Sequence, residues 1–134
     1  MDRILVDGMR LVDEHGRERI LSGMNICDKR DFDKSMPGLA TNADNFPFEE
    51  FRARGYDIIR LGFTWSMMEP IPGKYNEELI KSICNFLDKA EEYGAYVYLD
   101  CHQDVYSSYC YGDGDPRWTT ITYCYVPRKH IAAW

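Results

Sequence analysis

Residues 99 to 104, LDCHQD, begin as an apolar strand and end in two carboxylates, a thiol, an imidazole and an amide. In that setting His102 is most simply a neutral hydrogen-bonding imidazole whose tautomer is fixed by Asp100 or Asp104. Asp100, His102 and Asp104 at alternate positions could also offer nitrogen and oxygen to a metal, but no second cluster completes a site. No metal and no cofactor are expected. A second ionisable group, Arg60, lies in the middle of another apolar run, IIRLGF. An unpaired buried guanidinium is costly, so Arg60 must meet a carboxylate, as a structural ion pair or as part of a site.

These groups need elements to hold them. The run from Leu21 to Ile26 reads as a buried strand, YDIIRLGFTW as a second and AYVYLD as a third. Before them, Met9 to Val12 and Arg19 to Leu21 read as a hairpin around a turn at Asp13 to Gly16. Pro47 suits the first turn of a short helix carrying Phe48 and Phe51, with Gly55 at its C′ position. NEELIKSICNFLDKAEEYG is the clearest helix, capped by Asn76, with Leu79, Ile80, Ile83, Cys84, Leu87 and Ala90 recurring on one side before Gly94 ends it. Strand, helix, strand with tight connections is a right-handed crossover between parallel strands. Asp28 to Asn45 reads as a long loop, and loops of that length are more often functional than decorative.

Side chains alternate along a strand. Ile58, Arg60 and Gly62 therefore share one face and Ile59, Leu61 and Phe63 the other, while Val97, Leu99 and Cys101 oppose Tyr98, Asp100 and His102. One face is for packing and one is polar. That pattern fits the inside of a (β/α) barrel better than a doubly wound sheet, whose strands are apolar on both faces. The fold class is therefore α/β: the N-terminal portion of a (β/α)8 barrel, with about three parallel strands and helices after a short β-hairpin.

Composition narrows the partners. The chain has 134 residues, 45% hydrophobic and 28% charged, with a net charge of −6, so a nucleic-acid backbone is excluded as the expected partner. A neutral or small polar ligand fits better. No apolar run is long enough for a transmembrane helix or a signal-peptide core, which makes the expected location cytoplasmic, with secretion by another route left open. Five scattered cysteines without a C-x-x-C are read as reduced packing thiols.

Three segments, LVDEHGRERILSGMN, DIIRLGFTWSMMEPIPGKYN and LDCHQDVYS followed by GDGDPRW, resemble glycoside hydrolase family 5 in their order and spacing. Within it they look most like the endoglycoceramidase-related branch. The resemblance implies a retaining glycosidase with two catalytic glutamates at the ends of the fourth and seventh barrel strands. It implies that Arg60, His102 and Asn25 support the active site, and that Lys29, His102 and Asp104 contact sugar hydroxyls, although a loop-capping role suits Asp104 equally.

A whole barrel needs about 250 residues, so residues 1–134 are read as an incomplete single domain whose remaining barrel strands are its missing partner. Neither catalytic glutamate is expected in it; Asn76-Glu77 mimics the family's acid/base dipeptide but opens a helix. Trp65 and Trp118 lie at or past strand ends, where indole faces stack on sugars or lid a core. The carboxylates of YGDGDP are expected in solvent. The expected substrate is a carbohydrate or glycolipid bearing a β-glycosidic bond; the alternative is an inactive sugar-binding or structural fragment.

Overall fold

The computed structural model of the chain describes residues 1–27, 45–107, 110 and 112–119. Among them the elements run β1 (Ile4–Asp7), β2 (Arg10–Asp13), β3 (Gly23–Ile26), α1 (Phe48–Ala53), β4 (Ile58–Phe63), α2 (Trp65–Met68), α3 (Glu77–Glu92) and β5 (Tyr96–Cys101). All but the last residue of the expected loop from Asp28 to Asn45 falls outside the described residues.

The three expected parallel strands form one sheet in the order β3-β4-β5. The first starts at Gly23, two residues later than the apolar run suggests. Gly23 lies close against β4, since a Cβ there would sit 1.6 Å from the Ile58 carbonyl oxygen. α3 forms as its periodicity requires: Asn76 Oδ1 accepts the Leu79 N–H at 3.1 Å, and Gly94 follows the helix at φ 68°. Its buried stripe is Leu79, Ile83, Phe86 and Ala90, whereas Cys84 is exposed. α1 is entered from Pro47 at the N-cap rather than in the first turn, and Gly55 follows it at φ 81°.

Both long connections place their helices on the same side of the sheet. Phe48 and Phe51 of α1 and the α3 stripe bury Ile59 and Leu61 of β4, and Phe48 meets Phe86 with ring centroids 5.1 Å apart. A doubly wound sheet would carry helices on both faces. Here no described helix covers the face bearing Arg60, which is what a barrel wall requires. The packing face of β5 is only partly used: Val97 joins the core, but Leu99 is 43% exposed and Cys101 is exposed too. The α3 stripe shares one core with Ile59 and Leu61 of β4 and with Val97 of β5.

The hairpin lies earlier than expected. β1 pairs with β2 antiparallel around Gly8 and Met9, Gly8 taking the left-handed conformation at φ 61° that opens such a two-residue turn. The expected turn at Asp13 to Gly16 does form, with Gly16 N–H on the Asp13 carbonyl at 2.9 Å, but the following residues contribute only an isolated bridge between Val12 and Glu18. Asp13 fixes that turn. Its Oδ1 accepts the N–H groups of His15 and Arg17, both at 3.0 Å, and its Oδ2 accepts Arg17 Nε at 2.7 Å.

Burial would push the Asp13 carboxyl up, but these Arg17 and His15 donors outweigh it and hold the group at about 2. Because the folded value lies below the ordinary 3.8, the anchor is at full strength above that pH and is lost as pH falls through about 2. The His15 and Arg17 amide resonances should therefore titrate with an acid midpoint near 2. A midpoint at the ordinary carboxylate value would show that Asp13 is not held by the turn.

Candidate active site

The polar face of the sheet is assembled by its register. Asn25, Arg60 and Tyr98 lie side by side across the three strands, and Gly62 and Asp100 occupy the next pair upward. Arg60 spans both rows. Its Nη1 donates to Asn25 Oδ1 at 2.8 Å and its Nη2 to Asp100 Oδ2 at 2.5 Å, so one guanidinium ties β3 to β5 across β4. The carboxylate demanded by a mid-strand arginine is thus Asp100. Arg60 is not buried, however: its side chain is 36% exposed, so solvent screening leaves the pair more a device of geometry than of stability.

His102 stands just past the end of β5, with Nδ1 3.1 Å from Asp100 Oδ2 and 3.3 Å from Arg60 Nη2. A single ring nitrogen cannot donate to the carboxylate and accept from the guanidinium at once. The shorter contact, and the commitment of Arg60 Nη2 to the same carboxylate, favour Nδ1–H donating to Asp100. Nε2 is then left as the acceptor. Asp100 therefore orients both the guanidinium and the imidazole.

Above this cluster the chain narrows to backbone. A Cβ on Gly62 would lie 2.7 Å from Cys27 Sγ, so the Cys27 thiol occupies the space a side chain there would need. Cys27 continues β3 on the Arg60 face, and sequence reasoning missed it; the glycine opposite it was the available signal. Cys101, though exposed, is pushed up by partial desolvation of its thiol and then by the carboxylates of Asp100 and Asp115, which disfavours the thiolate. Cys84 and Cys101 are exposed rather than packed, and Cys124 lies outside the described residues.

Trp65 and Trp118 meet beyond the end of β4. Their ring centroids are 5.5 Å apart with planes at 82°, an edge-to-face pair. The short helix α2, capped by Thr64 Oγ1 accepting the Met67 N–H at 3.3 Å, begins at Trp65 and was not expected. It places Glu69 one turn on, where Oε2 accepts Trp65 Nε1–H at 2.8 Å and Oε1 accepts the Gly73 N–H at 2.7 Å. These bonds, that from Trp65 foremost, hold the Glu69 carboxyl below its usual range. Glu69 was missed, although the Trp-x-x-x-Glu spacing was its signal.

The loop after β5 packs on α2 through a hydrogen bond from Ser66 N–H to the Gly114 carbonyl at 2.8 Å. Asp104 and Asp113 pair through their backbones at 2.9 and 2.7 Å, giving Asp104 a fixed place in the loop. Asp113 is 6% exposed, against the expectation of solvent-facing carboxylates in this turn; the loop folds back and covers it. Lys29 lies outside the described residues. Among the described residues, Asp2, Glu14 and His15 bring ligand atoms within 4.8 Å of one another. Asp2 already faces Arg17 at 3.1 Å and Arg19 at 3.2 Å, two cations that a metal would have to confront.

Residues 12–130 match the model of the cellulase family, glycosyl hydrolase family 5. The chain belongs to glycosyl hydrolase family 5. It is 35% identical over 147 residues to a glucosylceramidase of Aspergillus fumigatus, a match covering 94% of this chain and 19% of that protein. It superposes on a crystal structure of an endogalactoceramidase with a TM-score of 0.70 and 27% identity, covering 90% of this chain and 30% of the other. Sterylglucosidase 1 of Cryptococcus neoformans, solved with tris, gives a TM-score of 0.69 at 26% identity, covering 87% and 20%. The family 5 chain thus spans under a third of these relatives, and its sheet is the N-terminal portion of a (β/α)8 barrel.

Shortly after β5 the chain takes a strained path at residues 105 and 106. Val105 and Tyr106 both have positive φ, at 50° and 73°, a conformation that disfavours a β-branched residue most. Val105 is 60% exposed and gives up little packing. Val105→Gly should therefore raise thermal stability by roughly 1 kcal/mol. A loss of stability on urea unfolding would show that the valine side chain, not the backbone, holds the loop.

Proposed function

We propose that this family 5 chain forms the sugar-orienting wall of a retaining glycosidase that cleaves a β-glycosidic bond between a sugar and a hydrophobic aglycone. The observation that carries the reading is the segregation of the sheet: helices cover one face, and Asn25, Arg60, Asp100 and His102 are linked on the other. A polar network of this kind is useful only where a polar ligand or further charged groups meet it. The relatives named above are a glucosylceramidase, an endogalactoceramidase and a sterylglucosidase, which favours a glycolipid.

In this reading the guanidinium of Arg60 helps keep a nucleophilic carboxylate ionised, with Asn25 and Asp100 holding the fork. His102, Lys29 and Asp104 orient sugar hydroxyls, and Trp65 and Trp118 offer indole faces to the apolar side of the sugar. Retention requires two carboxyl groups about 5 to 5.5 Å apart, one of them with a raised pKa. Those glutamates would come from barrel strands that these residues do not include. Glu77 does not substitute for them, because Asn76 caps α3 and Glu77 begins it.

The reading is tested by assaying the full-length protein on a fluorescent glucosylceramide. Arg60→Lys should lower kcat roughly 10²-fold while changing KM little, since lysine cannot bridge Asn25 and Asp100 together. An unchanged kcat would remove Arg60 from the site.

Alanine at Lys29 or Asp104 should impair turnover of that glycolipid more than of an activated aryl glucoside, which depends less on positioning energy. Equal losses on both substrates would point to folding instead. Absence of hydrolysis in the full-length protein, with sugar binding retained, would favour the sugar-binding alternative.

A further inference from the structure

Both members of the indole pair hydrogen-bond one residue, Glu69. Glu69 Oε2 takes the Trp65 Nε1–H at 2.8 Å, Oε1 takes the Gly73 N–H at 2.7 Å, and the Glu69 main-chain carbonyl takes Trp118 Nε1–H at 3.2 Å. The two indoles come from segments 53 positions apart in the chain, counting from Trp65 to Trp118, and both are tied to this residue. We propose that Glu69 is a positioning residue for a two-indole wall that receives the apolar face of a pyranose ring at the mouth of the site. This deepens the glycosidase reading and rests on it for the identity of the ligand.

The chemistry of the side chain fits the task. Two N–H donors approach from different directions and each meets its own oxygen, which a carboxylate provides and an amide does not. A glutamine at this position could accept from only one of them and would turn its own NH2 on the other. The Glu69 carboxyl, kept ionised by Trp65 and Gly73, makes both bonds charge-assisted. No cation is needed among these partners. Trp65 is held at its nitrogen and meets Trp118, yet remains 37% exposed, so part of its ring is open to a ligand.

The wall also joins two loops. Gly73 belongs to the turn after α2, where Lys74 N–H bonds the Ile71 carbonyl at 2.9 Å, and Trp118 belongs to the segment after β5. Glu69 thereby sets the distance between them. Removing its carboxylate frees the Trp65 ring and the Gly73 turn while leaving the carbonyl that holds Trp118. Trp65 should therefore move more than Trp118, an ordering that general unfolding would not produce.

The test uses full-length protein labelled with 5-fluorotryptophan, with the Trp65 and Trp118 resonances assigned from Trp65→Phe and Trp118→Phe. In Glu69→Ala, the Trp65 resonance should shift strongly and the Trp118 resonance less, and KM for glucosylceramide should rise roughly tenfold with kcat within about twofold. Glu69→Gln should lie between wild type and alanine in both readouts. Trp65→Phe, which keeps Glu69 and the Gly73 turn, should reproduce the rise in KM even if the Glu69 variants fold poorly.

Unmoved resonances in Glu69→Ala would overturn the positioning role. Shifted resonances with an unchanged KM would overturn the use of the wall by the substrate. If wild-type protein hydrolyses no glycoside, the glycosidase reading fails separately, and titration with octyl β-glucoside decides the wall: a Trp65 shift lost in Glu69→Ala supports it, and no shift overturns it.

Discussion

A guanidinium in the middle of a parallel strand needs acceptors from both neighbouring strands, and much of this structure follows from how Arg60 finds them. The acceptors, Asn25 and Asp100, lie on β3 and β5. They can reach Arg60 only if all three strands run in the observed register, because a one-residue slip of either neighbour would turn its acceptor to the packing face. The apolar residues enforce the same register from the opposite side, where Ile59 and Leu61 are wholly buried. Packing and polarity specify one alignment together, and neither face alone would do so as tightly.

That alignment fixes the chemistry at the strand ends. Asp100 pairs with Gly62, two residues beyond Arg60 on the same face, so the fork reaches upward and meets a carboxylate that also faces His102. The imidazole receives its orientation from a residue already held by the sheet, two positions before it. Gly62 leaves the space beside it to Cys27. The cluster is preorganised by strands, while Trp65 opens α2 and Asp104 lies in the loop after β5.

Most of this was legible because it is periodic. Alternation along IIRLGF and YVYLDC separated the two faces, and the 3- and 4-residue recurrence in α3 identified Leu79, Ile83 and Ala90 of its buried stripe, but it missed Phe86 and took in Cys84, which is exposed, and Ile80 and Leu87, which are only half-buried. The hairpin was misplaced because two turn signals, Asp7-Gly8 and Asp13 to Gly16, compete within a few residues. The chain uses the first for the strand pair and the second for a carboxylate-capped turn. Leu99 was assigned to the core by alternation, which reports the face of a residue but not whether a helix reaches it. Glu69 was missed for a different reason: its bonds to Gly73 and Trp118 come from outside α2, and only the local spacing to Trp65 hinted at it.

The loop after β5 shows why the non-periodic parts matter. It takes two successive residues through left-handed backbone, at about 1 to 3 kcal/mol each for residues other than glycine, and it does so without a glycine at either position. Such a path persists only when its surroundings overdetermine it. Here the Asp104–Asp113 backbone pair, the Asp115 N–H on the Tyr106 carbonyl and the Ser66 N–H on the Gly114 carbonyl close the loop against α2. The same closure brings Trp118 to Trp65. The strain, the short helix and the indole pair are therefore one arrangement, in which backbone energy spent below the rim sets where two aromatic faces stand above it.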